Sequence, residues 1–266
     1  MVISTRGNIM LRLTFLIRRK EGTTREEMQR YWLEEHGPLV AGHSRTLGML
    51  RYVQVHTTDD DHSRLPGRRG EMEEPYDGVV EVWWESKEAM VEATRSEQGR
   101  RVDQILRDDE ANFMDLERSV AWFNYEYPQV NPTPENIVAT ERSSLVKLYF
   151  PLRHQGSMTF DKAQWYWRTH HGPVIRRQAQ GSGILRYQQV HRDEPELTAS
   201  INSSRGSEVE PYMGHAEVWF DRASMGNPTP ENKIASRRAY DDESKFIDFA
   251  RSSMFLTKEH VIIDRR

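Results

Sequence analysis

The chain repeats itself, so its fold must be one that two copies of the same pattern can build together. Sliding the sequence by 135 sets Met10–His56 on Leu145–His191 without a gap, and 17 of those 47 positions are identical. Tyr31-Trp32 falls on Tyr166-Trp167, His36-Gly37-Pro38 on His171-Gly172-Pro173, and Leu50-Arg51-Tyr52 on Leu185-Arg186-Tyr187; Gln54-Val55-His56 falls on Gln189-Val190-His191. After one inserted residue, Pro75-Tyr76-x-Gly78-x-x-Glu81-Val82-Trp83 matches Pro211-Tyr212-x-Gly214-x-x-Glu217-Val218-Trp219. After three deletions, Asp108-Asp109-Glu110 matches Asp241-Asp242-Glu243. Three collinear blocks divide the 266 residues into a first domain with its linker, 1–138, and a second, 139–266, each near the common domain size. A further echo, Asn131–Asn136 and Asn227–Asn232, falls at non-equivalent places and reads in each case as a Thr N-cap followed by Pro at the first helical position.

Within one copy, Leu11, Leu13, Phe15 and Ile17 alternate with Arg12, Thr14, Leu16 and Arg18, which predicts a strand; Val146 to Leu152 repeats it. Thr24 and Glu27 form a capping box for a helix that puts Met28, Tyr31, Trp32 and His36 on one face, and Ala163, Tyr166, Trp167 and His171 in the second copy. Gly37-Pro38 and Gly172-Pro173 are expected to stop these helices. A second strand over 50–56, a polar loop over 57–74, a third strand over 78–84, a helix over 87–114 and a fourth strand over 120–125 give βαββαβ, the ferredoxin-like plan. Such a sheet has helices on one face only, so its other apolar face must be covered. The copies are therefore expected to pack sheet to sheet as a pseudo-dimer within one chain, with 124–142 as the linker and further homodimerisation left open.

A formal net charge of −4, with basic and acidic residues interspersed, argues against nucleic-acid and membrane-surface partners. The absence of cysteine excludes disulfides, thiolate catalysis and cysteine-ligated metals. No run approaches a membrane span or a signal h-region, so a cytoplasmic location is the expectation. Asp59-Asp60-Asp61-His62 reads as a solvated charge run, and no metal is assigned to it.

The ordered pattern Gly22-x4-Glu27, Tyr31-Trp32, His36-Gly37-Pro38, Leu50-Arg51-Tyr52-x-Gln54-x-His56, all but its first pair present again in the second half, resembles the EthD family of the dimeric α+β barrel superfamily. The resemblance implies an α+β fold of two tandem ferredoxin-like domains forming an intramolecular dimeric α+β barrel. It also implies a choice of chemistries, among them cofactor-free lyases, isomerases and cyclases, haem-degrading monooxygenases and haem peroxidases; some relatives act as decarboxylases or dehydratases on aromatic polyketides. Fold alone does not choose among these.

His36 and His171, on the aromatic face of the first helix, read as general acid/base groups or as helix-end histidines packed on Trp32 and Trp167. Tyr52, Gln54 and His56, with Tyr187, Gln189 and His191, share one strand face. They line a cavity if that face looks toward the helices and form an interface if it looks toward the other sheet. Glu81 and Glu217, between Val and Trp neighbours, need a partner, for which Arg51 and Arg186 are candidates; a structural ion pair is the competing reading. His215 replaces Val79 in the second copy, and with His154 and His170 it inclines the assignment toward that half. Tyr31 and Tyr166, with Trp32 and Trp167, are expected to wall a cavity for an aromatic ligand. The reading that results is a cofactor-independent lyase, a decarboxylase first with a cyclase or dehydratase close behind, acting on a phenolic or polyketide-like molecule. His171 and His36 move the proton, Tyr187 and Tyr52 hold an oxygen, and Arg186 binds a carboxylate. A haem-dependent oxidase and a non-catalytic binding protein are the rivals.

Overall fold

The computed structural model of the chain describes residues 10–60, 62–132, 137–226 and 228–266. Strand β1 (Leu11–Arg19) leads through the Thr24/Glu27 capping box into α1 (Arg25–Tyr31). A π-helical turn, Trp32–His36, follows, and the helix continues as α2 (Gly37–His43). Then come β2 (Arg51–Thr57), β3 (Gly78–Trp84), α3 (Lys87–Arg95), α4 (Glu97–Phe113) and β4 (Met114–Val130). The second half runs β5 (Leu145–His154), α5 (Phe160–Tyr166), a π turn at Trp167–His171, α6 (Gly172–Ser182) and β6 (Ile184–Arg192). It goes on through α7 (Pro195–Arg205), β7 (Gly214–Asp221), α8 (Arg222–Gly226), α9 (Pro230–Glu243), a short β8 (Ile247–Asp248) and β9 (Phe255–Asp264). Thr229 caps α9 with Pro230 in its first turn, as its sequence predicts; Thr133 of the matching motif lies outside the described residues.

Gly37-Pro38 and Gly172-Pro173 do not stop their helices, contrary to expectation. A helical proline lacks its N–H and its ring collides with the carbonyl four residues back. The π turn just before each proline widens the helix, and the chain passes through into α2 and α6. A second departure is α7, in a loop expected to be irregular. Thr198 and Asn202 of this helix bond the backbone of β4 at Phe123 and Ala121, capping a stretch of strand edge.

Each half has the ferredoxin-like strand order, β4-β1-β3-β2 and β9-β5-β7-β6. The two sheets also join edge to edge, β2 on β9 and β4 on β6, so the whole closes into one barrel. The first part of the expected linker is thereby strand: Asn124–Val130 pairs with β6 of the other half, because an unpaired edge recruits the next available backbone. Both strand faces are buried. Leu11, Leu13, Phe15 and Ile17 pack beneath the helices with Met28 and Trp32. The opposite face lines the barrel interior, which Trp83, Trp122, Tyr149, Tyr212 and Phe255 fill.

Glu81 and Glu217 lie in this interior, but their partners are not Arg51 and Arg186. Arg12 bonds Glu81 at 2.7 Å and also pairs with Glu217, and Lys147 reaches Glu81 at 2.6 Å and Glu217 at 3.2 Å. Arg51 instead faces Asp264, and Arg186 bonds Gln188 and covers Trp219. Burial pushes Glu81 up to about 7 despite both cations. The same burial acts on Glu217, yet Arg12, Lys147 and His215 hold it well below the usual carboxylate range.

Gly78 in β3 explains the repeated Pro-Tyr-x-Gly motif. A Cβ there would stand 2.5 Å from the Trp32 ring, so only glycine lets the indole lie on the strand. Gly78→Ala is expected to destabilise the protein by roughly 1–3 kcal/mol through overpacking, read as a lower urea midpoint at unchanged m-value.

Candidate functional site

The repeated Tyr-x-Gln-x-His strand motif holds the π turn in place. Gln54 Nε2 donates to the Trp32 carbonyl at 2.7 Å and to Tyr52 Oη at 3.2 Å; Trp32 Nε1 donates to Tyr52 Oη at 3.0 Å. His56 bonds Gln54 Oε1 at 3.1 Å and stacks on Trp32 at 4.7 Å. Gln189, Tyr187, Trp167 and His191 repeat every contact. This strand face therefore looks toward the helices. Because both neighbours donate to each tyrosine oxygen, its single proton is left for a further acceptor.

Beneath each first helix lies a small cavity, about 110 Å³ in the first half and 160 Å³ in the second. His36 and Tyr52 line one, and His171 and Tyr187 the other. His36 Nδ1 meets Asp109 Oδ2 at 2.6 Å, and His171 Nδ1 meets Asp242 Oδ2 at 2.8 Å. The second oxygen of each aspartate accepts from a tyrosine, Tyr31 at 2.8 Å and Tyr166 at 2.7 Å. Burial pushes Asp242 upward, but hydrogen bonds from His171, Tyr166 and Lys245 outweigh it and leave the carboxyl below its ordinary range. An aspartate on Nδ1 fixes the ring and turns Nε2 away from it. In the second half that Nε2 stands 4.0 Å from Oε1 of Glu243, the residue after Asp242, which also lines the cavity.

The glutamates facing each cavity are held by the opposite half. Arg205 of α7 donates to both oxygens of Glu110 at 2.8 and 3.0 Å, and Arg69, in the loop after β2, binds Glu243 Oε2 at 2.7 and 2.6 Å. These arginines are equivalent under the 136-residue offset, so each half closes the cavity of the other. Arg205→Met would leave Glu110 buried without its partner, and a loss of about 3–5 kcal/mol by urea unfolding is the expected outcome.

The sequence-selected residues thus divide by place. His36, His171, Tyr52, Tyr187 and Trp167 line the cavities, and Tyr31 and Tyr166 stand behind the aspartates. Gln54, His56, Gln189, His191 and Trp32 are occupied in holding the π turn. Glu81, Glu217 and His215 belong to the barrel interior, where His215 bonds Tyr149 Oη at 2.7 Å and Glu217 at 3.1 Å. Arg186 is not among the residues lining the cavity, and His154 and His170 pack beside Phe160 and Tyr166, so the extra histidines do not enrich the second cavity. Asp60 pairs with Arg222 and Asp59 is exposed, while Asp61 lies outside the described residues. Asp109, Glu110, Asp242 and Glu243 carried no assigned role in the sequence, although the repeated Asp-Asp-Glu block was the available signal. A benzene-sized ligand fits a cavity of roughly 150 Å³; a porphyrin fits neither, so no haem step is derived from them. No helix among the described residues is long and apolar enough to cross a membrane.

Burial holds His191, with Arg168 and His215 assisting, and likewise His215, down at about 3. A histidine kept neutral by folding supports stability above its unfolded value near 6.5 and loses that support as the unfolded chain takes up a proton on acidification. The urea midpoint of the native chain is therefore expected to fall relative to that of His191→Phe, which retains a ring against Trp167, as pH drops from 7 to 4. A difference independent of pH would refute the assignment.

The family model for the EthD domain matches residues 20–117 and 155–250. Among solved structures, an anthrone oxidase-like protein aligns over 98% of this chain and 96% of its own at 13% identity and a TM-score of 0.52. A protein from Fusobacterium nucleatum subsp. nucleatum, described as a candidate monooxygenase, aligns over 96% and 93% at 8% identity and a TM-score of 0.50. At these identities the likeness is one of fold. No protein of curated function matches the sequence.

Proposed function

The chain belongs to the EthD family, and from that premise we propose that its helix–sheet cavities are active sites of a cofactor-independent lyase that eliminates water from a single-ring hydroxy-carbonyl compound to give a phenol. The observation that carries this reading is the Asp-oriented histidine with a glutamate beside its other nitrogen on the wall of an apolar cavity, His171 with Asp242 and Glu243. His171 Nε2 takes the proton from the carbon beside the carbonyl, and the electron pair moves toward the oxygen. The free proton of Tyr187 meets the charge developing there. The pair then forms the carbon–carbon double bond as the hydroxyl on the next carbon departs, and the imidazolium returns its proton to that hydroxyl, releasing water. In a ring that already holds one carbon–carbon double bond, a hydroxycyclohexenone, the elimination gives a cyclohexadienone; enolisation of its carbonyl completes the phenol, and no electrons are gained or lost. Asp242 and Glu243, at opposite edges of the ring, compensate the positive charge while His171 holds the proton. The first half offers the same set in His36, Asp109, Tyr52 and Glu110.

Decarboxylation ranks behind elimination on the same geometry. It calls for a cation on the substrate carboxylate, and among the described residues the arginine lining each cavity is already bound to glutamate. The three-ring anthrone in the description of one structural relative exceeds either cavity, which confines the proposal to one ring.

The test offers β-hydroxycyclohexenones to the protein and follows phenol absorbance and loss of water by mass. His36→Gln and His171→Gln singly are expected to leave the activity of the other half, and the double variant to lose about 10²–10⁴-fold. Full activity in the double variant, CO2 release from phenolic carboxylates in place of water loss, or ligand affinity with no turnover would each overturn the proposal.

A further inference from the structure

The two cavities are alike at the histidine end and differ at the other. In the second half, His171, Ile175, Gln178 and Ser182 line one wall at spacings of four, three and four, a single helical face. Gln178 lies two turns beyond His171, roughly 10 Å along the helix. Its Nε2 donates to the Val174 carbonyl at 3.0 Å, and its Oε1 is buried with no partner. The Ser182 hydroxyl spends its own proton on the Gln178 and Ala179 carbonyls, at 2.9 and 3.0 Å. This end of the cavity therefore presents acceptors and no uncommitted donor from these two residues, and an unmatched buried acceptor asks for a ligand that donates. In the first half the position of Ser182 is Leu47, which lines the cavity, and the position of Gln178 is His43, which does not. Leu106 and Trp84 also stand where the second half has Ala239 and Phe220, in keeping with the smaller volume.

We propose that Gln178 and Ser182 form a distal subsite, present in the second half alone, that binds a hydroxyl on the far side of the substrate ring from His171. The substrate class for that half is then a ring carrying oxygens at opposite, para positions, the carbonyl oxygen that Tyr187 meets and a hydroxyl at Gln178; a para pair with a hydrogen bond at each end spans a distance of the order of the roughly 10 Å between His171 and Gln178. The first cavity, with Leu47 in the place of Ser182, takes a ring without the second hydroxyl. This deepens the elimination reading and rests on it for the chemistry, although the subsite itself is defined by binding.

The experiment uses the full chain with labelled isoleucine and valine methyls, so that Ile175 reports the second cavity and Val40 the first. Phenol and 1,4-dihydroxybenzene are titrated separately. At Ile175 the diol is expected to bind roughly three- to tenfold more tightly than phenol, the ratio one neutral hydrogen bond supports; at Val40 no preference for the diol is expected. Gln178→Met should bring the Ile175 ratio to one, and Gln178→Glu, which keeps an acceptor, should preserve a preference. Equal affinities at Ile175 in the native chain, a diol preference at Val40, a ratio untouched by Gln178→Met, or no binding of either probe would overturn the subsite. The native comparison of two cavities stands even where a variant fails to fold. Since no turnover is read, a missing elimination activity sinks the lyase and leaves the subsite, and a missing preference does the reverse.

Discussion

The ion cluster inside the barrel is the contact on which the arrangement of the halves depends. Arg12 of the first half binds Glu217 of the second, and Lys147 of the second binds Glu81 of the first, all essentially without exposure to solvent. A charge so buried is tolerable only when paired. Neither half on its own supplies the full set: a separated first half would hold Arg12 and Glu81 on an open sheet face. Closing the barrel satisfies the charges and the strand edges in the same step, which fixes both register and orientation.

From that frame the sites follow in order. With one strand face committed to the interior, the other must receive the helices, and the Tyr-x-Gln-x-His strand seizes the Trp32 and Trp167 carbonyls as they arrive. The wide turn so captured delivers His36 and His171 to the cavity wall, and the aspartates from α4 and α9 lock the rings.

The sequence carried the duplication, the strand and helix order and the capping box, because each rests on local periodicity or on repetition; the barrel came with the resemblance to the EthD pattern. It misjudged Gly-Pro as a stop, since nothing in local propensity announces a π turn stabilised from a strand far along the chain. The choice of strand face was closed to it for a similar reason: Tyr52, Gln54 and His56 read identically whether they meet helices or another sheet. Arg12 and Lys147 stood in plain alternation with apolar residues, but a polar phase ordinarily means solvent, and only closure of the barrel turns it inward. Glu110 and Glu243 were visible as repeats, while their arginines arrive from the opposite half and share no pattern with them.

The exchange of Arg69 and Arg205 between halves also bears on how such a molecule can change over generations. Were the two copies separate products of one gene, a substitution in one cavity would appear at once in the other, and neither could drift. Joined in tandem, each copy mutates by itself while the swapped arms keep both enclosed. Leu47 facing Ser182 across the pseudo-symmetry axis is the trace of that freedom, a departure from symmetry that a true homodimer has no means to encode.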